Sequence, residues 1–262
     1  MPTVHTRDAK IYYDVCGPDD APAVVFAHGR GGNAASWWQQ VAHFSDRYRC
    51  LVFDHRAFGR STCVSGRVLV RHFVEDLTEV LDEAGIDTLS LVCQSMGGWT
   101  GLRFALANPD RVRCLVLANT PGGVMTENLR AHMGNRPNTV DNAAFNNYAL
   151  APDYHERNPA MGYLYNQIGA FNTGEGPSAW SSMSRQERDL DVGKLAGFST
   201  PTMMITGEQD RIFPRDLLHE VAPQIPGCAV TDLPVVGHSA YFEDAPAFNK
   251  VVEAFLAKHT GA

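Results

Sequence analysis

Six short apolar-rich runs recur along the chain: Ala23 to Ala27, Cys50 to Phe53, Leu89 to Cys93, Val112 to Ala118, Pro201 to Thr206 and Ala229 to Leu233. A strand apolar on both sides has no face to offer water. Such runs therefore belong in a mostly parallel sheet covered by helices on each face. Between them the period lengthens to that of a helix. In Val70 to Ala84 the residues Val70, Phe73, Val74, Leu77, Val80, Leu81 and Ala84 share one face, and Gly85 follows as a stop. Phe248, Val251, Val252, Phe255 and Leu256 repeat the pattern within Pro246 to His259. Both are packing helices. Lys10 to Val15 reads as an edge strand paired with the opening segment. The class is α/β.

A chain of 262 residues, 44% apolar, can bury one large core and suits one domain with an insertion better than two equal domains. The regular pattern fails between Pro121 and about Leu195. There asparagines such as Asn128, Asn138, Asn146 and Asn172 are interspersed with Met125, Met133, Tyr148, Tyr165, Phe171 and Trp180. This composition predicts a helical cap at 121–195 over the carboxyl end of the sheet, with 1–120 and 196–262 forming the core. A surface insertion with a private core is the alternative.

The formal charge of −7 comes with no basic tract and no zinc-finger spacing, which argues against a nucleic-acid partner. No apolar stretch reaches the roughly 18 to 20 residues that cross a bilayer, and the first residues lack an apolar targeting core. No membrane association and a cytoplasmic location are therefore expected. Cys16, Cys50, Cys63, Cys93, Cys114 and Cys228 read as reduced core residues, although their even number leaves a disulfide open. The oligomeric state is open, a homodimer included.

The chemistry concentrates where the third run ends, in Cys93-Gln94-Ser95-Met96-Gly97-Gly98. A serine on a sharp strand-to-helix corner projects its hydroxyl clear of the backbone, while small residues behind it let the helix pack closely. Ser95 is thus a candidate nucleophile, and the Met96 N–H is aimed where an oxyanion would develop. Cys93 stands where glycine is usual for such a corner; its thiol is expected to point away from the tip.

An alcohol needs a base during attack, and the base needs a third group to hold it. His238, in Gly237-His238-Ser239, follows the last run on a glycine-bearing loop and is the candidate base. Asp210, in Thr206-Gly207-Glu208-Gln209-Asp210-Arg211, is the candidate orienting acid, with Glu208 a nearby substitute and Asp232 a less natural loop donor. The first run leaves through His28-Gly29-Arg30-Gly31-Gly32-Asn33. The Arg30 amide is the second oxyanion candidate, and His28 is expected to steady the loop. The Arg30 side chain, Asn33 and Trp180 are candidate substrate contacts. A phosphate loop fits poorly, because the Walker lysine and the dinucleotide spacing are missing.

These segments, together with Asp54-His55-Arg56-Ala57-Phe58-Gly59-Arg60-Ser61, resemble the α/β-hydrolase superfamily over nearly the full length. The resemblance implies an eight-stranded, mostly parallel sheet with a cap after the sixth strand. It also implies Ser95 as nucleophile, His238 as base, Asp210 as acid, and the Arg30 and Met96 amides as oxyanion donors. The expected partner is a small-molecule substrate, a carboxylic ester or lactone, cleaved without metal or organic cofactor. Carbon–carbon hydrolysis of a vinylogous diketone, as in meta-cleavage product hydrolases, is the enzymatic alternative. A ligand receptor on the same scaffold is the non-catalytic one.

Overall fold

The computed structural model describes residues 2–135 and 142–260, so Asn138 lies outside the described residues. All six apolar runs are strands, within one residue of their expected bounds. The strands are β1 (Thr3–His5), β2 (Ala9–Cys16), β3 (Ala23–Ala27), β4 (Arg49–Phe53), β5 (Thr62–Cys63), β6 (Leu89–Gln94), β7 (Val112–Ala118), β8 (Thr202–Gly207) and β9 (Ala229–Leu233). Their order in the sheet is β1-β2-β4-β3-β6-β7-β8-β9, with the two-residue β5 added against β2. β3, β4 and β6 to β9 run parallel, while β2 is antiparallel to β1, β4 and β5. The Lys10 to Val15 strand does pair with the opening segment, but it is not an edge: β2 lies between β1 and β4, and β1 is outermost.

Helices α1 (Trp38–Phe44) and α12 (Ala245–Thr260) cover one face of the sheet; α2 (Val70–Glu83), α3 (Met96–Ala107) and α10 (Arg215–Val221) cover the other. Strand side chains alternate between these two layers. Val24, Phe26, Val92 and Val116 join Trp37, Phe44, Phe248 and Val252 on one side. Val25, Leu91 and Leu117 join Phe73, Leu77 and Leu102 on the other. Helix α2 ends as its glycine foretells: Gly85 takes φ +63°, and the Ile86 N–H reaches back to the Leu81 carbonyl at 2.9 Å.

Between β7 and β8 lie α4 (Glu127–Asn135), α5 (Asn142–Ala149), α6 (Tyr154–Arg157), α7 (Pro159–Ala170), α8 (Gly176–Ser182) and α9 (Arg185–Arg188). A private core is not what holds this insertion. Trp180 and Met183 pack in the layer of α2 and α3, and Tyr165 and Ile168 pack in the layer of α1 and α12. Polar staples add to this. Trp99 Nε1 and Arg103 Nη2, both on α3, donate to the Arg188 carbonyl at 2.7 Å each. Asn172 Nδ2 donates to the Gly31 and Gly32 carbonyls at 3.2 and 3.0 Å.

All six cysteines are free, with Cys50, Cys93 and Cys114 buried. Among the described residues, no helix is long and apolar enough to cross a membrane.

Candidate active site

Register brings the site together. Ala27 pairs with Cys93, Gln94 with Ala118, Ala118 with Ile205, and Gly207 with Leu233. Four parallel strands and their neighbour β3 therefore end side by side, and the loops that follow share one edge of the sheet.

At the centre of that edge β6 turns into α3 with no intervening loop. Ser95 takes the turn at φ +48° and ψ −118°, a conformation a residue with a Cβ holds only when its surroundings enforce it. Close packing is the enforcement. A Cβ on Gly97 would stand 2.2 Å from the Ala27 carbonyl oxygen, and one on Gly98 2.5 Å from Thr120. The Ser95 carbonyl is held by Thr120 Oγ1 at 2.7 Å and its N–H by the Ala118 carbonyl at 3.0 Å. Met96 opens α3, so its N–H has no carbonyl within the helix to bond.

The departure at Cys93 has a packing reason. Its side chain is fully buried, and a Cβ on Gly101 of α3 would lie only 2.4 Å from its Sγ. The larger residue on the strand is matched by glycine on the helix. Burial pushes the thiol well above its usual range, so it is not available as a thiolate.

Asp210 and His238 meet directly, His238 Nδ1 lying 2.9 Å from Asp210 Oδ2. A carboxylate can only accept, so Nδ1 carries a proton, and in the neutral ring Nε2 is the nitrogen with the lone pair. Asp210 is itself fixed by three more donors. The Ile212 and Phe213 N–H groups bond Oδ1 at 2.8 and 2.9 Å, and Asn119 Nδ2 bonds Oδ2 at 3.1 Å. His238 Nε2 is buried and has no hydrogen-bond partner among the described residues. No hydrogen bond joins Ser95 Oγ to Nε2 here; catalytic contacts of this kind often tighten only around the reacting group. The two residues are nevertheless linked, because Gln94 Nε2 donates to the His238 carbonyl at 3.0 Å. The competing acids look elsewhere: Glu208 accepts from the Val235 N–H, and Asp232 from Thr206 and His219.

Across the edge, His28 does steady its loop. Its Nδ1 contacts the Gly29 carbonyl at 2.8 Å, and Nε2 accepts the His55 N–H at 2.9 Å. Burial lowers its pKa to about 4, so the ring is neutral. Arg30 lines the cavity, with its guanidinium 4.3 Å over the Phe145 ring and Nε donating to the Pro177 carbonyl at 3.0 Å. Trp180 lines the cavity too. Asn33 is a correction: its Oδ1 accepts the Ala35 N–H at 3.0 Å and its Nδ2 donates to the Ile168 carbonyl at 2.9 Å. Both ends of that amide serve the fold, and the residue does not line the cavity.

Three residues escaped the sequence reading. Asn119 follows β7 at the same edge as Ser95, at φ +51°, and bridges Asp210 to the Gly237 carbonyl. Its signal was an asparagine directly after an apolar strand, since Asn tolerates the left-handed conformation. Glu243, on α11 (Ala240–Glu243), accepts the N–H groups of Gly237 and Ser239 on either side of His238, and that of Ala151 from the insertion. Burial pushes its carboxyl up to about 7. Tyr165 of the insertion meets Ser239 Oγ at 2.6 Å. Tyr165 carried no signal, because its partner lies 74 positions away; Glu243 lies within six residues of Gly237 and Ser239 but reads in sequence as an ordinary helix carboxylate.

The cavity above Ser95 measures about 370 Å³, and most of its remaining wall comes from the insertion: Met125, Met133, Phe145 and Trp180 among others. Ligand sites at the carboxyl ends of parallel strands are the rule for such sheets.

The family described as alpha/beta hydrolase fold matches residues 22–245, and the chain belongs to it as an enzyme of that family. A putative carbamate hydrolase, RutD, of Azorhizobium caulinodans is 25% identical over 98% of this chain and 99% of its own. 3-Oxoadipate enol-lactonase 2 of Acinetobacter baylyi is 26% identical over 98% and 96%. The enol-lactonase structure from Burkholderia xenovorans superposes with a TM-score of 0.80 at 24% identity, covering 98% of this chain and 100% of that one.

Proposed function

We propose that the protein is a serine hydrolase that cleaves a small or moderate carboxylic ester or lactone through an acyl-enzyme. The observation that carries this reading is the buried His238–Asp210 pair, with its second ring nitrogen unpartnered, at the sheet edge where Ser95 is held strained. The relatives named for enol-lactone and carbamate hydrolysis support the same bond class. A cavity of about 370 Å³ falls at the small end of ligand sites.

In this mechanism Ser95 Oγ attacks the carbonyl carbon while His238 Nε2 takes its proton. The resulting imidazolium is stabilised by Asp210, and the oxyanion by the Met96 and Arg30 amides, each such donor contributing about 3 kcal/mol. His238 then protonates the departing alkoxide. Water attacks the acyl-enzyme with His238 again as base, and Ser95 is regenerated. The segment 121–195 acts as a cap that narrows access and excludes bulk water.

Purified protein screened against short-chain esters, lactones and a yellow dienol-carboxylate tests this. Ester or lactone turnover that falls at least about 10⁴-fold in Ser95→Ala is expected. Bleaching of the dienol as the dominant activity, or full turnover by the serine variant, would overturn it.

A further inference from the structure

The cavity over Ser95 is basic inside an acidic protein. The chain carries a net charge of −7, yet the described residues around the cavity include Arg30, Arg130, Arg185, Arg188 and a single carboxylate, Asp189. That carboxylate is taken: it forms an ion pair with Arg130. Arg30 is engaged with the Pro177 carbonyl and the Phe145 ring. Arg185 and Arg188 differ. Among the described residues neither guanidinium forms a hydrogen bond or ion pair, and Arg188 lies over the Trp180 ring at 5.9 Å.

Arg188 is also held in place. Its carbonyl receives the two 2.7 Å bonds from Trp99 and Arg103, both on the helix that starts at Ser95. The Leu190 N–H, two residues on, bonds the Gly123 carbonyl at 2.8 Å. Partial burial pulls the guanidinium below its usual range; Asp189 opposes this and Arg185 adds to it. Two like charges three residues apart on a cavity wall, one of them partly desolvated, raise the free energy of the empty site. An anion relieves that cost, and a planar guanidinium resting on an aromatic face keeps its edge N–H groups free to grip a carboxylate in two-point fashion. Cavities lined by one sign of charge also concentrate ligands of the opposite sign.

We propose that Arg188, assisted by Arg185, forms an anion subsite, so that the substrate is an ester or lactone bearing a carboxylate remote from the carbonyl that Ser95 attacks. The substrate assignment rests on the ester and lactone reading above, whereas the subsite is tested by binding alone. The probes are the monomethyl and dimethyl esters of succinate, glutarate and adipate. They are titrated into the Ser95→Ala protein, with the fluorescence of Trp99 and Trp180 at the cavity wall as the signal.

For at least one chain length the monomethyl ester binds tenfold or more tightly than the dimethyl ester. Arg188→Gln on the same background cuts that ratio below threefold, and Arg188→Lys restores part of it. Equal binding of both esters at every length overturns the proposal, as does an undiminished ratio in both Arg188→Gln and Arg185→Gln. Preferential binding without turnover of the monomethyl ester by the wild-type protein supports the subsite and overturns the hydrolase reading.

Discussion

Two buried histidines stand at the same sheet edge, and their hydrogen bonds give them opposite fates. His28, after β3, spends both ring nitrogens on backbone groups, and burial lowers its pKa to about 4. His238, after β9, spends one nitrogen on Asp210 and keeps the other. Burial alone therefore does not mark a base. The arrangement the proposed base needs is an anionic partner on one side of the ring and an uncommitted lone pair on the other.

That contrast is broken most forcefully at His238. In His238→Ala, kcat for the ester or lactone found by screening falls by about 10⁴-fold or more, with the thermal midpoint little changed. Asp210→Asn is next, at about 10³ to 10⁴-fold in kcat. The Ile212 and Phe213 N–H groups hold the amide oxygen at the Oδ1 position, which turns the amide nitrogen toward His238 Nδ1 and imposes the wrong tautomer. Recovery of wild-type turnover with Asn at 210 would remove the acid from the account.

His28→Ala sharpens the contrast from the other side. Unfolding free energy drops by about 2 to 4 kcal/mol, because the buried His55 N–H loses its partner, the Gly29 carbonyl keeps only the Gly32 N–H, and the ring leaves a cavity. The shifted loop costs at most about 10²-fold in kcat, less than either change at the proposed catalytic pair. Denaturant titration beside steady-state kinetics separates the two effects.

The smallest expected effect is in pH dependence. His28 has its pKa lowered from 6.5 to about 4, so between those values the unfolded chain binds more protons and stability falls as pH drops. Glu243 has its pKa raised from 4.5 to about 7, so between those values the folded chain binds more protons and stability falls as pH rises. Glu243→Gln removes only the second slope. Urea midpoints measured from pH 4.5 to 7 therefore rise more steeply with pH in that variant than in the wild type, and parallel curves would remove Glu243 from the balance.

The sheet was legible because strands buried on both faces are apolar nearly throughout, as in Ala23 to Ala27, and in Val112 to Ala118 apart from the exposed Arg113. That Ser95, Asp210 and His238 share one edge was legible for a related reason: each follows such a strand, and a parallel sheet sends every such loop to one edge. Asn33 misled because an asparagine after a glycine-rich loop has the same appearance whether it caps the next turn or faces a ligand. Tyr165 was invisible because its role depends on packing between residues 74 positions apart, and Glu243 because an acid at a helix end looks the same whether it faces water or caps the His238 loop. The insertion's helices escaped for want of a clean apolar stripe, since their side chains are shared between both layers of the core.

The central claim is that Ser95 is a nucleophile activated by His238. Reaction with a small fluorophosphonate followed by intact and peptide mass spectrometry tests it directly. One adduct per chain on the peptide containing Ser95 is predicted, absent in Ser95→Ala and slowed at least about 10³-fold in His238→Ala. An adduct on another residue, or labelling of the serine variant at the wild-type rate, would contradict it.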